Sequence, residues 1–102
     1  MIQTPYYAVI FTSKQTHNLE GYSAMAVRME ELAKTQKGYL GFEHGKGGLN
    51  VTVSYWETLE DIKNWKAHTA HAFAQEKGKE DWYKWYKVRI CKVEKEYEFN
   101  KE

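Results

Sequence analysis

Residues 39–61, YLGFEHGKGGLNVTVSYWETLED, hold two strands, a turn and a helix start in one run. Segments 39–44 and 49–56 read as a hairpin, with the glycine-rich link from Gly45 to Gly48 supplying the turn. That link leads into a strand. A phosphate loop has to lead into a helix N-terminus, so a phosphate loop is excluded. In the second strand Leu49, Val51, Val53 and Tyr55 share one face, and Asn50, Thr52, Ser54 and Trp56 the other. The run TLED then reads as a capping box: the Thr58 hydroxyl accepts from a backbone N–H of the first turn, and Asp61 reaches back. From there Leu59, Ile62, Trp65, Thr69 and Phe73 follow helical spacing and predict one ridge against the sheet, with Gly78 as the stop.

The N-terminal side carries a strand over 5–13, PYYAVIFTS, with Pro5 at its start and apolar residues on both faces. A helix is predicted from Leu19 to Gln36, N-capped by Asn18, with Leu19, Tyr22, Met25, Met29 and Leu32 on one side and Gly38 closing it. On the C-terminal side KEDWYKW reads as a short helical turn or tight connection. Residues 86–97 form the last strand. Val88 and Ile90 fall on one face and Val93 on the other, which predicts a bulge near Cys91 or Lys92. The order strand, helix, strand, strand, helix, strand is the α+β split βαβ, ferredoxin-like arrangement: an antiparallel four-stranded sheet with both helices on one face. Residues 1–102 make a single domain. A first strand apolar on both faces, in a sheet covered on one, predicts a homodimer with sheets packed face to face.

Charge narrows the function classes. Fifteen basic against fourteen acidic residues leave a net charge of +1, so no field points to nucleic acid or an anionic membrane surface. No apolar run is long enough to span a bilayer, and the first residues lack a basic n-region. The single cysteine, Cys91, suits a reducing compartment, and a cytoplasmic location is expected. Aromatic residues make up 16% of the chain, enough to suggest a pocket for a flat apolar ligand as well as a ring-rich core.

Those rings concentrate in WKAHTAHAFAQEKGKEDWYKWY, residues 65–86. On one continuous helix Trp65, His68, Ala72 and Gln75 fall on one flank of the ridge, and His71 lies nearer solvent. A ring, an imidazole, a small residue and an amide make a plausible pocket wall. His68 and His71 can reach one ion, but two ligands are too few for a metal site, and none is expected. Cys91 reads as a small strand residue, and no serine sits in a nucleophile elbow.

YLGFE after a helix, followed by VSYWETLEDIKNWKAHTAHAFAQEKGKEDWYKWYKVRICKVE, resembles the antibiotic biosynthesis monooxygenase family. The Gly-Tyr-Leu-Gly-Phe run, the YW ending a strand, the W-K-x-H-x-x-H helix and the WY before the last strand match its bacterial stand-alone members. The resemblance covers nearly the whole chain. It implies a dimeric α/β-barrel of ferredoxin-like subunits. In some members it implies oxidation of aromatic polyketides with molecular oxygen and no cofactor, and in others oxidative heme breakdown. Heme-degrading relatives carry a histidine ten residues after the tryptophan matching Trp65, where this chain has Gln75. They also carry an asparagine on the first strand, where it has Val9 and Ile10. Heme degradation is therefore not expected. The expected activity is cofactor-independent oxidation of a small aromatic substrate. Trp65 would stack on the ring, His68 transfer a proton or hydrogen-bond, Gln75 anchor a substrate oxygen, and Trp82 close the pocket. The alternative is a non-catalytic binding module with the same pocket.

Overall fold

The computed structural model describes residues 3–101, the side chains of Thr69 and Ala70 apart. The elements are β1 (Tyr6–Gln15), α1 (Tyr22–Lys34), β2 (Tyr39–Lys46), β3 (Asn50–Trp56), α2 (Leu59–Ala67), α3 (Thr69–Lys77), a π-helical turn (Gly78–Trp82) and β4 (Tyr83–Val93). The strands form one antiparallel sheet in the order β2-β3-β1-β4, the α+β ferredoxin-like arrangement that the periodicities predict. Among the described residues no helix is long and apolar enough to cross a membrane.

Register assigns the faces. Trp56 lies across from Tyr7, and Val88 and Ile90 lie across from Phe11 and Val9. Trp56 stacks on Trp65 of α2, so this is the helix side. The opposite face carries Tyr6, Ala8 and Ile10 with Tyr55 and Val53 of β3 and Cys91 and Val93 of β4. Trp56 is fully buried and anchors the core with Ile62 and Trp82. Tyr39 meets it edge-on, with centroids 5.6 Å apart.

The hairpin and the capping box form as their sequences dictate. Thr58 Oγ1 accepts from the Asp61 N–H at 3.0 Å, and its hydroxyl donates to Asp61 Oδ2 at 2.8 Å. Asp61 thus answers the threonine hydroxyl and is buried against Gly38. Gly38 has φ +85°, and a Cβ there would lie 2.0 Å from Asp61 Oδ2, so only glycine fits.

Several local expectations need correction. The first helix starts at Tyr22, with Gly21 rather than Asn18 as N-cap; the Asn18 N–H is taken by Thr16 Oγ1. The second helix is two. His68 adopts an extended conformation (φ −60°, ψ 132°), which ends α2 and resets the helical phase. The predicted ridge is lost with it: Ile62 is buried, but Leu59 and Phe73 are 53% and 61% exposed. Thr69, the other ridge member beyond the break, has a side chain outside the described residues. No bulge occurs near Cys91; pairing runs without interruption from Tyr6–Val93 to Lys14–Trp85. The irregularity lies at the other end of β4, where Gln15 pairs with Tyr83 and Lys84 is passed over. Val93 needs no realignment because both faces of β1 are apolar, so either face accepts it.

Candidate functional site

α1 packs against β2 and α2 against β3. On the helix side of β4, Val88 and Ile90 remain 48% and 54% exposed, beside half-buried Val9 and Phe11. This is an apolar floor, half-exposed along its β4 edge. Two aromatic clusters lie on the same side of the sheet.

At the Tyr7 end stands Trp65. Trp56 stacks on it at 6.1 Å and 28°, fixing the indole over β3. His71 lies flat on it at 4.6 Å and 16°, and His68 is tilted toward it at 5.6 Å and 41°. The His71 Nδ1 is 3.1 Å from the Trp65 carbonyl oxygen. A carbonyl can only accept, so Nδ1 carries the hydrogen and Nε2 keeps its lone pair. Burial pushes the His71 pKa below its ordinary value, the hydrogen bond to Trp65 opposes this, and the neighbouring His68 and Lys66 add to the lowering. The balance favours the neutral imidazole of His71.

At the other end Phe11 meets Tyr83 and Tyr86 edge-on, each at 5.2 Å, and Tyr22 of α1 meets Trp82 and Tyr83. Trp82 is buried, and its indole N–H donates to the Glu20 carbonyl at 3.0 Å. The π-helical turn presses Tyr83 inward: a Cβ on Gly78 would come within 2.7 Å of that ring. Burial raises the Tyr83 pKa well above the usual tyrosine value, so its phenol stays protonated. A cleft of about 310 Å³ opens here, lined by Lys79, Tyr83, Lys84, Trp85 and Tyr86.

Trp65 and His68 come together as their spacing predicts. Gln75 is half-buried on α3, beyond the helix break that ends its common flank with them. Trp82 lies at the opposite end of the floor, backing Tyr22 and Tyr83 rather than facing the opening. His71, assigned by the wheel to the solvent side, is instead the ring closest to Trp65. The wheel misplaces it because it assumes a helix unbroken through residue 68. The available signal was Thr69, a β-branched residue of low helix propensity next to the break. Among the described residues no three His, Cys, Asp or Glu side chains converge on a metal position.

The face away from the helices holds a different chemistry. Tyr55 donates its hydroxyl to Glu43, and Tyr6 hydrogen-bonds Glu96. These bonds, with burial added, push both phenols up to about 12.

Sequence comparison finds a relative, and comparison with solved structures shows the fold. The chain is 45% identical over 96 residues to the uncharacterized protein YqjZ of Bacillus subtilis, covering 92% of this chain and 84% of YqjZ. No protein-family model matches the sequence. A variant of SnoaB, a cofactor-independent oxygenase from Streptomyces nogalater, superposes with a TM-score of 0.76 at 6% identity, over 89% of this chain and 95% of SnoaB. An antibiotic biosynthesis monooxygenase gives 0.73 at 10% identity, over 83% and 95% of the two chains. Protein SO0527 of Shewanella oneidensis gives 0.76 at 9% identity, over 91% and 95%. At these identities the likeness to solved structures is one of fold.

Proposed function

The chain belongs to the family of Bacillus subtilis YqjZ and has the fold of the antibiotic biosynthesis monooxygenases, and on that footing we propose that it is a homodimeric, cofactor-independent monooxygenase acting on a small phenol or quinol. The observation that carries the reading is a half-exposed apolar floor of Val9, Phe11, Val88 and Ile90 on the same side of the sheet as an indole with two imidazoles against it. A flat, electron-rich ring suits that floor, and an imidazole suits its hydroxyl group.

The chemistry needs little from the protein beyond placement. An electron-rich phenolate passes an electron to oxygen itself. One oxygen atom bonds to the ring and the other leaves as water, so a phenol and dioxygen give a quinone and water. The protein excludes water, orients the ring and handles one proton. In this reading Trp65 sets the width of the site and His68 hydrogen-bonds the substrate oxygen. Trp82 holds Tyr22 and Tyr83 at the far end. The face away from the helices, where Ile10 and Val53 lie between Glu43 and Arg89 and beside Ala8, Cys91 and Val93, supports a second copy of the chain as partner.

Oxygen uptake with 1-naphthol as substrate tests the proposal. An enzyme consumes oxygen faster than buffer and forms the naphthoquinone. A raised melting temperature with no oxygen uptake across a set of phenols would overturn catalysis and leave a binding module.

A further inference from the structure

We propose that His71 is the proton acceptor of this site, its Nε2 taking the hydroxyl proton of a bound phenol before oxygen meets the ring. The inference rests on the reading of the chain as a phenol-oxidising enzyme, but its grounds are geometric. The imidazole lies flat on the Trp65 indole at 4.6 Å and 16°, and its Nδ1 is tied to the Trp65 carbonyl at 3.1 Å. Stacking and the hydrogen bond together fix the ring in position. The hydrogen bond also fixes the tautomer, because the carbonyl forces the hydrogen onto Nδ1 and leaves Nε2 as the basic nitrogen.

The extended backbone at His68 makes this geometry possible. Six residues along a continuous helix bring a side chain about 120° away from its starting face. The break at His68 instead returns residue 71 to the ring of residue 65. Ala72 N–H donates to the His68 carbonyl at 2.9 Å, so the new helix starts from the residue that ended the old one. The charged or titratable groups acting on His71 are Lys66 and His68, and both oppose a second proton on its ring. The site therefore holds a neutral acceptor against an indole, on the helix side of the sheet.

The proton balance closes. Phenol and Nε2 give phenolate and imidazolium. Phenolate transfers one electron to dioxygen, the radical pair joins through a new carbon–oxygen bond, and the peroxide takes the proton back from His71. Loss of the ring hydrogen with the terminal hydroxyl, as water, leaves the quinone and a neutral imidazole ready for another turnover.

His71→Asn tests it, since the asparagine amide N–H can still donate to the Trp65 carbonyl but carries no base. The variant is expected to keep its fold and bind 1-naphthol with a similar dissociation constant. Its kcat should fall by about a hundredfold or more, with KM little changed. A variant that folds and turns over at the wild-type rate overturns the proposal. A second arm needs no turnover: nitrogen-15 spectra of the wild type should show hydrogen on Nδ1, a bare Nε2, and a shift of the Nε2 signal when 1-naphthol is added. If the wild type consumes no oxygen with any phenol, the enzyme reading fails and this arm decides alone. An Nε2 signal that 1-naphthol does not move, or a hydrogen found on Nε2, overturns the role of His71. A shift sustains it as the acceptor for the phenol hydroxyl.

Discussion

His71 is neutral because burial penalises its charged form by more than its one hydrogen bond returns. That has a consequence for stability. A histidine whose folded pKa lies below its unfolded value takes up its proton later in the folded state. As pH falls through about 6.5, the unfolded chain gains a proton that the folded chain does not, and the fold loses stability. Denaturation midpoints should therefore fall more steeply with acidification in the wild type than in His71→Asn. Identical slopes would show that His71 is charged as easily in the fold as out of it. Gly38 makes the other residue-scale case. Its φ of +85° and the 2.0 Å approach to Asp61 leave no room for a methyl group. Gly38→Ala should cost more than about 1 kcal/mol in urea unfolding, because the strain is local and the capping carboxylate has to move. A change within experimental error would mean that the β2 entry relaxes freely.

Among the elements, α2 and α3 show how a helix is redirected without proline or glycine. α2 ends at His68, whose N–H bonds the Trp65 carbonyl at 3.0 Å. His71 bonds the same carbonyl through its side chain. One acceptor thus serves both ends of the break. The π-helical turn has an equally local cause: Gly78 gives Tyr83 the space to close against Phe11 and Tyr22. Gly78→Ala should push that ring aside and destabilise the fold by roughly 1–3 kcal/mol, despite the better helix propensity of alanine. Thermal melting together with binding of 1-naphthol checks it. A more stable variant would show that the turn adapts without moving Tyr83.

At the scale of the whole molecule the two sheet faces divide the work. The helix side holds the Trp65 and Phe11 clusters. The opposite side presents Ile10, Val53, Cys91 and Val93, and beyond β4 the chain carries Tyr97 and Phe99 at 91% and 84% exposure. The proposed dimer predicts a solution mass about twice the 12.1 kDa of the chain. Val53→Glu, which sets a charge opposite Ile10 and beside Glu43, should halve that mass while leaving the circular dichroism of the folded chain intact. Light scattering that finds a single-chain mass for the wild type would remove the dimer from the proposal.

Much of the architecture was legible in the chain because its causes are local. A period of two in NVTVSYW, a glycine-rich turn and the Thr58–Asp61 box each act over a few residues, so the order of elements and the ferredoxin-like class followed. The meeting of Trp65 and His68 followed from their spacing. The position of His71, the bulge at Lys84 and the exposed Val88–Ile90 edge were decided by tertiary structure. A helical wheel presumes an unbroken helix. Whether it breaks at His68 depends on the carbonyl and indole of Trp65, held in place by Trp56 from the sheet. A strand register likewise belongs to the pair of strands, and β1, apolar on both faces, gave β4 no single phase to match.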